Sequence, residues 1–513
     1  MKIQQNATVV AVVSCLRSPR IRLLGAGTFL LISVWAVLYL PHIRTNPGWY
    51  GDETLAVTAA QNILPGPPAH RAFWNTFWHP YAPYQPGYLL AVAAALALTG
   101  DIVGPRIFNA LLGLATALVM LMVGRRVLGY IPSLFAALVF LTYEQSVIHF
   151  RWIFTHNLIA FGFTLAFLEL ARRSTFRNNF RAGLGIAAGA SALPLFVYGA
   201  FAAGLWRIRH PRSWFPLAIP SFAVVSVSLL WGWIAHEHPF LLTDIAATAD
   251  FYTDASRENS GSLAGLATNL WIFFTHDWLH VLGGVAILLC WNRRSRAIGF
   301  GATAISILLL QNRQNLPVFY YQAVVLLPLM VLAIGNALGR GMRLSRRLTG
   351  SRFASRAAAM ICFLLPVILF VSVFPKSIGG KLIPRNQFWV TQSPSEVEAA
   401  AEWINEQVAP NDLVICHQNI AWLIRCRTAD FLMMTSYAGL PTWPFKTPLT
   451  HQQFRYAVDV NLAKFVVVGD IDQRWTFSQP NVAAFTTGAM GDRWEAVWAG
   501  ENYRVFRKKG TRP

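Results

Sequence analysis

The chain has 513 residues, 55% hydrophobic and 13% charged, with a mean hydropathy of +0.42. A soluble protein of this length carries about twice that charged fraction, so the composition, with 19 Trp and 35 Phe, excludes an ordinary soluble protein and implies an integral membrane one. The net charge of +20 is carried mostly by Arg in short clusters between apolar runs, which marks cytoplasmic loops and excludes a nucleic-acid-binding domain.

The N-terminus, "MKIQQNATVVAVVSCLRSPRIR", holds an apolar patch too short and too weakly basic for a signal peptide, so the first span is expected to serve as an uncleaved signal. Apolar runs follow at 23–41, 105–123, 130–147, 157–173, 182–206, 214–235, 270–291, 297–312, 316–338 and 355–374. Most approach the roughly 20 residues that cross a bilayer. Two stretches decide the topology. "PGYLLAVAAALALTG", 86–100, is short for a span and is read as interfacial or re-entrant. The run 182–206 carries Pro194 near its middle; proline inside a helix removes a hydrogen bond and clashes with the preceding turn, so this run is read as two short helices. The result is eleven spans, with the N-terminus inside and the C-terminus outside.

This topology puts Arg125, Arg126, Arg172, Arg173, Arg177, Arg181, Arg207, Arg209 and Arg212 inside, with the cluster Arg340, Arg343, Arg346 and Arg347. Before residue 375 the outer loops and their flanks keep only Arg44, Arg71, Arg106, Arg151, Arg257 and Arg313. That asymmetry follows the positive-inside tendency. Eleven carboxylates precede residue 390, and all but Glu169 fall at or beyond the outer surface. Acidic chemistry, if any, is external. Two outer loops are long: 42–104, rich in Trp, Tyr, Pro and His, and 236–269, whose His236, His238, Asp244 and Asp250 could form a lid.

From about residue 380 the chain is polar, which divides it into a membrane domain, 1–378, and an extracytoplasmic α/β domain, 379–513. "SPSEVEAAAEWINEQV" predicts a helix with Ser393 as N-cap, Pro394 at the first position and Glu396 closing a capping box. "DLVICH" and "AKFVVVGD" predict strands, and "WEAVWAGENYRVFRK" a hairpin. No Gly-rich phosphate loop occurs there. Cys416 and Cys426 either pair in an oxidising compartment or stay as buried thiols.

Within "NPGWYGDETLAVTAAQNIL", 46–64, Asp52 and Glu53 sit side by side just past the first span. Acids favour a helix N-terminus, and at least one is expected to start the helix of "ETLAVTAAQNI". A helix start also fixes a carboxylate in space, as a general base or metal ligand requires. The order of first span, "GDETLAVTAAQNIL", "HPYAPYQPGYLLAVAAALALTG" and "PRIFNALLGLATALVMLMVGRRVLG" resembles the GT-C glycosyltransferase superfamily. The likeness is greatest to the branch of polyprenyl-phosphate-mannose protein mannosyltransferases and lipid A aminoarabinose transferases.

The resemblance implies an all-α polytopic membrane domain with a small C-terminal α/β domain, in a bacterial-type inner membrane. It implies an inverting glycosyltransferase that uses a polyprenyl-phosphate sugar, with a glycan, lipid or protein acceptor. The catalytic acid maps to Asp52, with Glu53 its neighbour; Arg151 and Arg313 are the cations for the donor phosphate. Relatives place an Asp where this chain has His156 or Asn157 in "EQSVIHFRWIFTHNLIAF", and some carry a Glu-Lys pair where this chain reads "HPYAPYQPG". His149, His156, Asn157, His79, Tyr81, Tyr84 and Gln85 are therefore expected to shape a different pocket. A divalent cation and a metal-free mechanism stay equally open. The alternative class is a transporter or flippase of lipid-linked sugars, whose intramembrane charges would line a path.

Overall fold

The computed structural model describes residues 19–63, 86–193, 195–236, 263–290, 292, 295–311, 324–383, 391–442, 450–454 and 456–510. The first helix, α1 (Pro19–Tyr39), is followed by a two-residue strand β1 (Trp49–Tyr50) and α2 (Gly51–Ile63). Next come α3 (Pro86–Thr99), α4 (Val103–Met122), α5 (Tyr130–Thr142) and α6 (Glu144–Arg151). They lead to α7 (Thr155–Leu170), α8 (Phe176–Ala190), α9 (Phe196–Trp206) and α10 (Trp214–His236). The membrane region closes with α11 (Leu263–Phe274), α12 (Trp278–Leu288), α13 (Arg296–Gln311), α14 (Leu327–Thr349) and α15 (Arg352–Ile378).

By length and composition, four helices among the described residues can cross a membrane: Ile21–Tyr39, Val103–Arg126, Pro211–Leu230 and Val324–Thr349. Two bent pairs, α5 with α6 at 64° and α11 with α12 at 118°, bring the number to six. The chain is a multi-pass membrane protein, and the expected eleven spans exceed what this measure supports. The difference lies in helix length: α7, α9 and α13 are apolar but short, each under 18 residues. Helix α3 has 14 residues, about 21 Å at 1.5 Å per residue, short of the roughly 30 Å hydrocarbon core. The run 182–206 is broken, α8 ending at Ala190 and α9 starting at Phe196; Pro194 lies outside the described residues.

The helices close on small residues. A Cβ on Gly162 of α7 would stand 2.2 Å from the Gly185 carbonyl, and one on Gly185 of α8 would stand 2.4 Å from the Gly162 carbonyl. The two backbones touch there, as membrane helices do where packing alone holds them.

The C-terminal region contains β2 (Thr391–Gln392), α16 (Pro394–Asn405), β3 (Leu413–Ile415), α17 (Gln418–Ala421), β4 (Arg427–Ala429) and α18 (Phe431–Tyr437). It continues with β5 (Ala463–Gly469), α19 (Asp470–Arg474), α20 (Pro480–Met490), β6 (Trp494–Ala499) and β7 (Tyr503–Lys508). The sheet order is β4-β3-β5-β7-β6, with β4, β3 and β5 parallel, β7 antiparallel to β5, and β6 antiparallel to β7. The predicted strands and hairpin are in place. The predicted capping box is not: Ser393 makes no side-chain cap bond. Glu396 instead accepts hydrogen bonds from the Asn502 backbone N–H at 2.5 Å and its side-chain amide at 2.6 Å, pinning α16 to the turn of the hairpin.

Cys416 and Cys426 are both free thiols. The parallel register sets Ile415 level with Ala429 and Leu413 level with Arg427, so the two cysteines lie at opposite ends of their strands. Four residues at about 3.3 Å each separate them along the strand direction, beyond the reach of a disulfide.

Candidate active site

The acidic pair starts α2, and the helix start sends the two carboxylates in different directions. Glu53 is fully buried and meets Arg106, in the first turn of α4, in a two-pronged ion pair. Arg106 Nε donates to Glu53 Oε1 and Nη2 to Oε2, both at 2.6 Å. Its Nη1 donates to the carbonyls of Ile43, Pro47 and Arg44 at 2.8, 3.0 and 3.1 Å. Glu53 also accepts from the backbone N–H of Ile153 at 3.2 Å. Such a pair offsets its desolvation only with full hydrogen bonding, which these carbonyls and amides supply. The fork therefore ties the loop before α2, the start of α4 and the turn after α6 into one unit.

Asp52, one residue earlier, is half-buried. Successive helix residues diverge by about 100°, and of the first turn Asp52 alone is not fully buried, while Gly51, Glu53 and Thr54 are. The loop leading to it is anchored on several sides. Asn46 donates to the carbonyls of Lys376 and Ser377 at 3.1 and 2.9 Å and accepts from Leu382 N–H at 2.9 Å. Trp49 packs edge-on to Trp422 at 5.1 Å, and Tyr50 stacks on Trp152 at 5.1 Å and on Phe154 at 5.4 Å. Strand β1 pairs antiparallel with β2, setting Trp49 opposite Gln392 and Tyr50 opposite Thr391.

The other sequence-predicted residues separate into two groups. Asn157, His149 and Arg151 are buried and already engaged. Asn157 Nδ2 donates to Asn109 Oδ1 at 3.0 Å and to the His149 carbonyl at 2.9 Å. Asn109 Oδ1 also accepts from the Tyr88 hydroxyl at 3.1 Å, so Asn109 joins α3, α4 and α7. His149 Nδ1 lies 2.7 Å from the Gln145 carbonyl, and its ring meets Trp152 edge-on at 5.5 Å. The His156 ring lies 5.5 Å from Phe154. Arg151 donates to Ser377 Oγ at 3.2 Å and to the Pro41 carbonyl; it braces α6 against α15 and the loop after α1, enclosed at 0% exposure. His79, Tyr81, Tyr84, Gln85 and Arg313 lie outside the described residues, as do His238, Asp244 and Asp250. Among the described residues no group of three or more His, Cys, Asp or Glu is arranged to hold a metal ion.

Sequence reading missed the roof of the site. The residues just beyond the carboxyl end of β3 face α2, at the end of the parallel strands where open α/β sheets bind ligands. After β3 come His417, Gln418 and Asn419. A Cβ on Gly51 would stand 3.0 Å from Gln418 Nε2, 3.2 Å from Asn419 Oδ1 and 3.3 Å from His417 Cε1, so a larger residue would press on all three side chains. The Thr54 hydroxyl lies 3.3 Å from Asn419 Oδ1. Arg44 ties the helical region to the α/β region at the rim, pairing with Asp101 at 2.7 Å and with Glu398 of α16; being partly exposed, these pairs contribute little stability each.

Two further acids follow β4 and β5. Burial pushes Asp430 up to about 7 against the Met433 and Leu432 N–H groups, which favour its charged form. Burial likewise pushes Asp472 up to about 7, opposed by the Gly469 N–H and Thr476 hydroxyl and aided by Asp430. Burial lowers His417 to about 3, so it is neutral at physiological pH.

A folded pKa raised above the ordinary carboxylate value contributes stability that is present below about pH 4 and lost as pH rises through about 7. Asp430→Asn keeps an oxygen for the Met433 N–H, 2.7 Å from Asp430 Oδ1, and removes the ionisation. In the full-length protein this variant is expected to be neutral near pH 4 and more stable than the parent at pH 8, by a few kcal/mol. Amide hydrogen exchange in β4 and α18 at the two pH values measures it, and weaker protection at pH 8 would contradict it.

No protein-family model and no curated protein matches this chain. Solved structures do. ArnT from Cupriavidus metallidurans, in a crystal structure bound to undecaprenyl phosphate, superposes with a TM-score of 0.61 at 12% identity, over 94% of this chain and 97% of that one. The oligosaccharyltransferase AglB from Archaeoglobus fulgidus, in complex with an inhibitory peptide and a dolichol-phosphate, gives 0.53 at 13% identity, over 90% and 70%. At these identities the likeness is one of fold, and it spans both the helical region and the C-terminal α/β region.

Proposed function

We propose that this protein is a GT-C-type membrane glycosyltransferase that moves a sugar from a polyprenyl-phosphate donor to an acceptor hydroxyl at the outer face of the cytoplasmic membrane. The observation that carries the proposal is the held first turn of α2. One acid, Glu53, is consumed in the Arg106 fork. Its neighbour Asp52 is thereby fixed at the junction of the helical and α/β regions. The solved relatives of the same fold hold undecaprenyl phosphate and dolichol-phosphate, which supports the donor class.

In this reading Asp52 takes the proton from the acceptor hydroxyl as its oxygen attacks the anomeric carbon. The new bond forms on the face of the anomeric carbon opposite the lipid phosphate, the carbon–oxygen bond to that phosphate breaks with its electron pair leaving on the phosphate, and the anomeric carbon inverts. Glu53 positions Asp52 and does not exchange protons. The leaving phosphate needs cationic stabilisation. Arg313, between two apolar runs on the outer side, is the residue retained for it. Arg151, committed to Pro41 and Ser377, serves as a brace. The reading keeps eleven membrane crossings, in which the short apolar helices cross alongside the long ones, with the N-terminus inside.

A transporter would line a path with its buried charges. Here Arg106, Glu53 and Arg151 are spent on structural contacts, which supports transfer over transport. Mass spectrometry of membrane lipids, glycans and proteins from cells carrying the parent or Asp52→Asn tests the proposal: one set of glycoconjugates is expected to lose a sugar increment in the variant.

A further inference from the structure

One nearly buried polar side chain beside α2 has no use in the account so far. Gln418 opens α17, directly after the carboxyl end of β3, and is 8% exposed. Its carboxamide makes no hydrogen bond to any described residue. A carboxamide offers two donor hydrogens and two acceptor lone pairs, and here neither polar atom is among those shut away from solvent, so both stay open to a ligand entering beside α2. Each neighbour is engaged through one atom, Asn419 Nδ2 being buried without a partner among the described residues. His417 Nδ1 accepts from the Asn419 N–H at 3.2 Å, and Asn419 Oδ1 faces the Thr54 hydroxyl at 3.3 Å. Gln418 Nε2 is also the atom nearest the point where a Cβ on Gly51 would stand, at 3.0 Å, one residue from Asp52.

We propose that Gln418 is an acceptor-positioning residue, contributed by the C-terminal region, that holds a hydroxyl-bearing acceptor against Asp52. The proposal rests on the reading of Asp52 as the base. A hydroxyl both donates and accepts, as the carboxamide does, so the two match without a charge. Gln418 takes no part in the bond changes; it orients the acceptor oxygen, and the proton passes to Asp52. The site is thus shared between two regions more than 360 residues apart in sequence.

The test uses the full chain in membranes of cells that lack their own copy. The assay follows the glycoconjugate increment that Asp52→Asn is expected to diminish, by its initial rate of appearance after induction. Gln418→Met keeps length and volume but removes every hydrogen-bonding group, and Gln418→Ala removes the side chain. Both are expected to lower the rate about 10–100-fold at equal protein level and an unchanged unfolding midpoint. Gln418→Glu, which sets a like charge near Asp52, is expected to move the acid limb of the pH–rate profile upward by about one unit. Parent-like transfer by Gln418→Met would overturn the proposal, as would a loss of rate that only tracks a lowered unfolding midpoint. Unchanged products in Asp52→Asn would remove the Asp52 reading and this proposal together. Full loss in Asp52→Asn with parent-like Gln418→Met would remove this proposal alone.

Discussion

Arg106→Ala is expected to leave little folded protein in the membrane. The substitution strands the Glu53 carboxylate at 0% exposure and deprives the carbonyls of Ile43, Arg44 and Pro47 of their donor. Removing one partner of a buried ion pair costs about 3–5 kcal/mol, a large share of the roughly 5–15 kcal/mol that holds a protein together. Arg106→Lys is expected to rescue only part of this, because an ammonium cannot form the fork and reach three carbonyls at once. Glu53→Gln leaves the guanidinium uncompensated and is expected to be damaging as well. Replacing both partners by apolar residues is expected to be milder than either single change. Thermal unfolding in detergent, read as a double-mutant cycle, measures this coupling. Single variants as stable as the parent would contradict the role given to the fork.

Asp52→Asn is expected to fold normally and to transfer about 10²–10⁴-fold more slowly, the range that a positioned general base contributes. Asparagine is accepted near a helix start as readily as aspartate, so the expected loss is chemical and not structural. Asp52→Glu keeps the carboxylate but moves it by about one bond, and is expected to retain a small fraction of the rate. A parallel Glu53→Asp variant separates the two acids: its shorter reach loosens the Arg106 fork and is expected to lower stability and rate together. If Asp52→Asn transferred at the parent rate with equal protein, the base would have to be sought elsewhere.

Composition made the membrane region legible, because long apolar runs have few soluble alternatives. The strands at 413–415 and 463–469 and the hairpin at 494–508 were legible for a similar reason: period and turn residues are local signals. Contacts across long separations were not. Ser393 and Glu396 form a local capping pattern, yet Glu396 bonds to Asn502, 106 residues away. Two cysteines ten residues apart in sequence gave no hint that a parallel register sets Cys416 and Cys426 at opposite strand ends.

At the site, the sequence singled out the pair Asp52 and Glu53 but not which of them faces inward. That choice is made by Arg106, which the sequence reading counts only as one of a few arginines in loops expected to be external. Its signal was visible in hindsight: Arg106 and Asn109 stand three residues apart on one face of the otherwise apolar "PRIFNALLGLA", and buried polar groups in such a helix need partners. Gln418 had no comparable signal, since nothing local links it to Gly51.

The account depends most on sidedness, because a lipid-borne sugar and an acceptor must both reach Asp52 from outside. The contact of Gln418 with Gly51 puts the α/β region on the same side as that acid. Asp492 is exposed in this region, and Arg347 is exposed at the end of α14. Labelling Asp492→Cys and Arg347→Cys in spheroplasts with a membrane-impermeant maleimide, against the unsubstituted chain as baseline, measures both faces. The expected result is modification of Asp492→Cys in sealed spheroplasts and of Arg347→Cys only after permeabilisation; the reverse pattern would place Asp52 in the cytoplasm and contradict the proposed reaction.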